Sequence, residues 1–221
     1  MGLTQFAGYA ELKGSADDAE WARKEAATLS ENITKHAWEG DQFVRGLSAV
    51  DGYTVGSKNN DEANLWLNPQ AWAVISGLAR DERAEAALNK VEKRLSTDYG
   101  CMVMHPAFRT YGLPSARMIL FPAGVKENAG IFSQPQGWIV LAEALMGHGN
   151  RAYRYYTNAN PAAMNEQAEM RETEPYAHSQ FTEGVDSPNH GRSHNSWLTG
   201  TASTVQVAAV HGIIGDRPEY D

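Results

Sequence analysis

The sequence predicts an all-α fold: part of an (α/α)6 barrel, a double ring of six helical hairpins, with long inter-hairpin loops gathered at one mouth. Two observations lead there. Apolar residues recur at helical spacing in successive stretches bounded by Gly, Pro and capping residues. The connections between those stretches alternate between short and long. Short links join antiparallel neighbours into hairpins. Hairpins packed side by side put every short link on one face and every long loop on the other.

The first helix is expected over residues 3–12, ending near Gly14. The second begins at Ser15, Asp17 and Asp18 as capping candidates and runs to His36, with Trp21, Leu29 and Ile33 on one face. The third starts at Asn68-Pro69, an N-cap residue followed by a first-turn proline. It reaches Leu78, with Trp72 and Ile75 inward. The fourth runs from Asp81 to Leu95 with a stripe of Leu88, Val91 and Leu95. The fifth covers residues 136–146, where Trp138, Leu141, Ala142, Leu145 and Met146 fit the helical template. The sixth is capped by Asn150 and ends near Asn158, before Pro161. The seventh spans residues 201–214 and is stopped by Gly215 and Pro218.

The stretches 38–67, 96–135 and 160–199 are the long connections, with 42–47 and 100–104 as candidate short strands. A closed ring of six hairpins needs about 350–450 residues by the size of its parts. This chain holds about three and a half hairpins. Residues 1–221 are therefore expected to be one portion of such a domain, cut at both ends.

Composition excludes several classes. The net charge is −8, and no basic stripe is available for phosphate backbones, so no nucleic-acid partner is expected. The single cysteine, Cys101, allows no disulfide within the chain and reads as a small buried hydrophobe. No secretory signal, myristoylation pattern or bilayer-length apolar run is seen, so a cytoplasmic location off the membrane is expected. There is no Walker loop and no Gly-x-Ser-x-Gly elbow. His190 and His194 are spaced i, i+4 but lack a third ligand, so no metal site is expected. His148, between two glycines, reads as a helix-end residue.

Three polar segments sit just outside helix-periodic runs: 124–138 (GVKENAGIFSQPQGW), 174–180 (EPYAHSQ) and 195–203 (NSWLTGTAS). Loops held by a rigid scaffold are where binding chemistry gathers. This mixture of Lys, Glu, Gln, Thr, Gly and Trp suits a carbohydrate and an oxyanion. Trp72 and Trp138 fit helix stripes and read as core; Trp66 and Trp197 read as loop residues open to a sugar face.

Taken in order, ITKHAW (33–38) leading into Arg45, Gly56-Ser57, LNPQAWAVISG (67–77), GVKENAGIF (124–132), Ala142-Glu143 and GHGNRA (147–152) form a pattern. It continues through Glu174-Pro175-Tyr176, Gln180, WLTGT (197–201) and IGDRPEYD (214–221). With these pieces the chain resembles the C-terminal part of the catalytic barrel of glycoside hydrolase family 94, the inverting disaccharide phosphorylases. The resemblance implies attack of inorganic phosphate, the co-substrate, on a β-linked disaccharide or oligosaccharide, giving an α-sugar-1-phosphate and a free sugar. It implies no cofactor, and for the full-length protein a homodimer. Phosphate replaces the activated water of an inverting hydrolase and needs no general base.

Residue by residue, the resemblance assigns Lys126 and Glu127 to the acceptor-side sugar. A loop-bracing ion pair is the alternative. Gln180 matches a glutamine near the phosphate and donor sugar, against a bracing amide. Thr199 and Gly200 match a phosphate-contacting Thr-Gly before a helix, against a plain cap. Two departures stand out. Where the family motif supplies a histidine to phosphate, this chain has Gln134, which donates through its amide but carries no charge. The family's general acid belongs to a Trp-Asn-Asp motif upstream of everything matched, and this chain contains no such motif. No catalytic acid is therefore assigned within residues 1–221. An inverting hydrolase on the same barrel and a non-catalytic carbohydrate-binding helical domain remain as alternative readings.

Overall fold

The computed structural model describes residues 1–49, 52–110 and 120–217. Its helical hairpins follow the expected order. α1 (Gly2–Leu12) packs on α2 (Ala16–Ala37), α3 (Leu67–Ile75) on α4 (Glu82–Arg94), and α5 (Gln134–Leu145) on α6 (Gly149–Ala159). A short α7 (Ala168–Arg171) follows Pro161, and α8 (Thr201–Val207) continues as a π-helical segment, Ala208–Ile214. Gly215 ends it in the left-handed region at φ 82°. Pro218, the other expected stop, lies outside the described residues. The helices α3, α5 and α8 lie side by side, with α4 and α6 packed on α3 and α5.

Several helix expectations are corrected. The α1–α2 contact is made by small residues, with Ala7, Ala10, Ala19 and Ala22 buried. Alanines let two backbones approach closely, and the stripe of α2 is left outside. Trp21 and Leu29 are each 52% exposed, with Trp21 edge-on to Phe6, and Ile33 is only partly buried. Helix α3 begins at Leu67 because the chain enters it directly from an extended Trp66, so Asn68 sits inside the first turn and is not the cap. Its buried face is Leu67, Ala71 and Val74, while Trp72 is exposed. Helix α4 matches its expectation: Asp81 caps it by accepting from the Arg83 amide at 3.0 Å, and Leu88, Val91 and Leu95 are fully buried.

Helix α5 starts two residues earlier than expected, with Pro135 in its first turn. It is enclosed by α3, α6 and α8, so Gln136, Gly137, Ile139, Val140 and Glu143 are buried as well as Ala142. The expected stripe residues Trp138, Leu141, Leu145 and Met146 are only partly buried. Helix α6 is preceded by His148 at the cap position, two residues before the expected Asn150.

The long connections carry short strands that tie them together. β1 (Gly46–Leu47) pairs with β2 (Thr54–Val55), β3 (Leu65–Trp66) with β6 (Met104–His105), and β4 (Ser96–Thr97) with β5 (Gly100–Cys101). β7 (Ile131–Phe132), β8 (Ser179–Thr182) and β9 (Ser193–Ser196) form a three-stranded antiparallel sheet, with Phe132 opposite Phe181 and Phe181 opposite His194. Of the short strands expected at 42–47 and 100–104, the structure holds Gly46–Leu47, Gly100–Cys101 and the start of Met104–His105. The β7–β8–β9 sheet was not expected, and Gln180 lies on a strand. Pairing of β3 with β6 and of β7 with β8 binds all three long connections into one end of the molecule. A second apolar cluster, including Trp66, Met104, Phe108 and Ala129, fills the space beneath them.

Candidate functional site

The turn from β7 into α5 is the meeting point of the three long connections. Residues 124–130 form a tight loop beside it. Gly124 donates to Asn128 O at 2.8 Å and Gly130 to Lys126 O at 3.0 Å. Any Cβ on Gly130 would stand 2.5 Å from that carbonyl oxygen, and one on Gly124 would stand 2.4 Å from the Ser187 nitrogen. Asn128, 1% exposed, anchors the loop from inside: its amide donates to Phe108 O and Phe121 O, and its oxygen accepts from the Phe108 amide at 2.7 Å. The loop so held carries Lys126 at φ 49°, a conformation that side-chain-bearing residues adopt at an energetic cost and that clusters at functional sites.

Lys126 and Glu127 point to different surroundings. The Lys126 ammonium lies 5.2 Å from the Phe121 ring centre and 5.8 Å from that of Phe181. Among the described residues it forms no ion pair, so the loop-bracing alternative is not what the structure contains. Glu127 lines a cleft of about 220 Å³ together with Arg45, Trp66, Asn68, Gln134 and Trp138. Its Oε2 atom is buried without a hydrogen-bond partner, and so is Asn68 Oδ1. Two unsatisfied buried acceptors in one cleft are unusual, because native structures pair nearly all such atoms. Arg45 adds unpaired donors: among the described residues its guanidinium makes no ion pair and lies 5.8 Å above the Trp66 ring. Asn68 and Arg45 carry no site role in the sequence reading. Asn68 resembles a helix cap there, and its open acceptor is visible only once β3 has been placed.

Gln134 opens α5 and lines the same cleft. A Cβ on Gly200 would stand 3.4 Å from the Gln134 side-chain amide, so the two segments lie in van der Waals reach of each other. The contact is fixed from behind. Thr204 donates to Gln134 O at 2.9 Å, and a Cβ on Gly137 would stand 2.3 Å from the Thr204 carbonyl carbon. Helices α5 and α8 thus meet backbone to backbone. Thr199 does not line the cleft. Its hydroxyl accepts from the Thr201 amide at 3.2 Å and lies 2.5 Å from the Thr201 hydroxyl, the arrangement of a helix start. Gln180 is tied to the turn through its carbonyl, which accepts from Ser133 N at 3.0 Å; its side-chain oxygen accepts from Asn195 at 3.2 Å. Bracing is therefore part of what Gln180 does.

Other candidates resolve differently. Trp66 is 4% exposed, its indole donates to Ala63 O, and Gly56 and Arg45 crowd its ring. The expectation of an open sugar face is corrected: Trp66 is a wall of the cleft. Trp197 is 71% exposed at φ 69°, with its indole N–H donating to the Glu174 carboxylate. Trp138 meets Trp72 edge to face at 5.5 Å. His190 and His194 both turn to Glu183, the first to its carbonyl at 2.9 Å, the second to its carboxylate at 2.7 Å. That pairing braces the segment against which Gly124 packs. Cys101 is fully buried, and burial pushes its thiol above the ordinary value. Among the described residues no three His, Cys, Asp or Glu side chains gather to hold a metal ion, and no helix is long and apolar enough to cross a membrane.

Comparison with known proteins concerns the chain as a whole. The family model for the glycosyl hydrolase 94 superfamily, catalytic domain, matches residues 1–215. An N,N'-diacetylchitobiose phosphorylase of Vibrio proteolyticus is 35% identical over 215 residues, 96% of this chain and 27% of that protein. One of Vibrio furnissii is 36% identical over 195 residues, 87% of this chain and 24% of that protein. A solabiose phosphorylase of Paenibacillus borealis is 30% identical over 196 residues, 89% of this chain and 25% of that protein. The chain thus spans about a quarter of the length of these relatives. By the extent of these matches, the chain belongs to the glycosyl hydrolase 94 superfamily and carries catalytic-domain sequence.

Proposed function

We propose that these residues form the acceptor and phosphate side of a disaccharide phosphorylase site at one mouth of an (α/α)6 barrel. The observation that carries the reading is the cleft in which Glu127 Oε2 and Asn68 Oδ1 are buried without partners beside Gln134. A sugar presents hydroxyl donors to such acceptors, and the Arg45 guanidinium offers donors to the sugar's oxygens. Lys126 and Glu127 serve the acceptor sugar, Gln180 the donor side, and Gln134 with Thr199 and Gly200 the phosphate.

In the reaction, a phosphate oxygen bonds to the anomeric carbon while the bond from that carbon to the leaving sugar's oxygen breaks. That oxygen takes a proton from a general acid outside residues 1–221. The amide of Gln134 and the backbone N–H of Gly200 are neutral donors for phosphate, and such oriented donors stabilise charge without reorganising. The Thr199 hydroxyl joins them by turning away from Thr201. The chitobiose and solabiose phosphorylases among the relatives support a disaccharide as substrate; its β linkage, a cytoplasmic location and the absence of a cofactor are part of the proposal.

The test is initial-rate kinetics on the protein expressed with its complete coding sequence. Asn68→Ala is expected to raise the disaccharide KM roughly fivefold, the scale of one hydrogen bond, with the phosphate KM unmoved. Thr199→Ala is expected to do the reverse. Unchanged constants in both variants would remove the assignment. An inverting hydrolase is the second reading, favoured by Gln134, since a neutral residue there weakens the hold on phosphate and leaves room for water.

A further inference from the structure

We propose that a second cavity, behind the β7–α5 turn, is a binding site for a monatomic halide, in practice chloride. The cavity is enclosed by β7, β8, α5, α6 and the α7 region, and its polar lining includes Ser133, Gln136, Asn158, Arg171, His178 and Ser179. The Gln136 amide is engaged by Cys101 and Phe132, and the Asn158 amide donates to Thr97 O. Its volume is about 20 Å³. That admits one particle the size of a water molecule and excludes phosphate or a carboxylate-bearing ligand. It is distinct from the sugar cleft: Ser133 lines the one and Gln134 the other.

Charge identifies the occupant. Arg171 makes one hydrogen bond among the described residues, from Nε to Ser193 Oγ at 3.4 Å, and no ion pair. No carboxylate lines the cavity among the described residues. Burial lowers the proton affinity of Arg171; burial, then the nearby Arg171 charge, lowers that of His178. The Arg171 guanidinium thus faces a partly desolvated space with no counter-charge among the described residues, a costly arrangement unless an anion is present, and the His178 imidazole, whose neutral form is favoured, offers one ring N–H donor beside it. The hydroxyls of Ser133 and Ser179 make no hydrogen bond among the described residues and are free to donate to that anion. A water molecule would satisfy the hydroxyls and leave the charge uncompensated.

Crystals grown with bromide in place of chloride, measured at the bromine absorption edge, test this directly. The expected result is an anomalous peak inside the cavity, within contact of both Arg171 and His178. In solution, the unfolding midpoint is expected to be about 2–4 °C higher in chloride than in gluconate at equal ionic strength. Arg171→Met should abolish that difference. His178→Gln should reduce it, and carries the test if Arg171→Met does not fold. A cavity holding water without anomalous signal, or a chloride effect undiminished in the variants, would overturn the proposal.

Discussion

Two regions of this molecule are rich in charge and use it in opposite ways. At the short-link end, Glu143 is fully buried and its carboxylate meets Arg151 at 2.8 Å and His148 at 2.7 Å. Arg151 also meets Glu92 at 2.7 Å, Arg154 meets Glu92 at 2.6 Å, and His148 reaches Glu85 at 3.1 Å. At the loop end, Arg45 and Lys126 form no ion pair among the described residues, and Glu127 has a buried oxygen without a partner. Density of charge does not separate structure from function here. Both ends hold buried polar atoms without hydrogen-bond partners, Glu143 Oε1 and Arg151 Nε among them; what separates the ends is whether each charged group has an ion-pair partner among the described residues.

The comparison can be broken at either end. The largest effect is expected from Arg151→Met, which leaves Glu143 buried without its main partner and should destabilise by about 3–5 kcal/mol. Urea unfolding measures it, and a loss below about 1 kcal/mol would mean the cluster is not structural. Gly137→Ala comes next. Its new methyl meets the Thr204 backbone, and overpacking of this kind destabilises by roughly 1–3 kcal/mol. Because Thr204 holds the Gln134 carbonyl, the same change should raise the phosphate KM, linking helix packing to the site.

Gln134→His sharpens the loop end by supplying a charge-assisted donor in place of a neutral one. The phosphate KM is expected to fall several-fold, more at pH 6 than at pH 8, as the imidazole gains its proton near its ordinary value of about 6.5. The smallest effect is a pH dependence. Burial is the leading influence on Glu143 and raises its carboxyl above the ordinary value, outweighing the opposing pull of Arg151 and His148. A raised folded value means that this group's stabilisation is complete below the unfolded value of about 4.3 and is lost as pH rises through the folded one. The stability of the native protein relative to Glu143→Gln should therefore decline as pH rises through that window.

The helical hairpins were legible because a 3.6-residue apolar period survives in the sequence of α4, and because Gly, Pro and capping residues bound the others, as Asn150 and Pro161 do for α6. The face of α5 was misread, since a helix enclosed on three sides buries residues all round and its period no longer marks one inner stripe. In α2, Trp21 and Leu29 share one face in the sequence, yet the buried α1 contact is made by Ala7 and Ala10, and Trp21 meets α1 only edge-on at Phe6. The sheet of β7, β8 and β9 was invisible because Ser179, Gln180 and Thr182 are polar and the strands are too short to show alternation. At the site, Lys126, Glu127, Gln134 and Gly200 stood out as motif residues. Gathering of their loops at one end was expected from the alternating connections; the sharing of one cleft by Glu127 and Gln134 with Asn68 and Arg45 was not, because it depends on distant segments meeting at one turn. Asn68 was hidden most completely: before a proline, a buried hydrogen-bond acceptor and a helix cap look alike.

The most direct measurement is the product of cleavage. The protein expressed with its complete coding sequence, given a β-linked disaccharide and inorganic phosphate, can be followed by phosphorus NMR. The account predicts a new α-sugar-1-phosphate resonance whose rate of appearance rises with phosphate and drops in Glu127→Ala. Free sugars alone, released at a rate indifferent to phosphate, would contradict it.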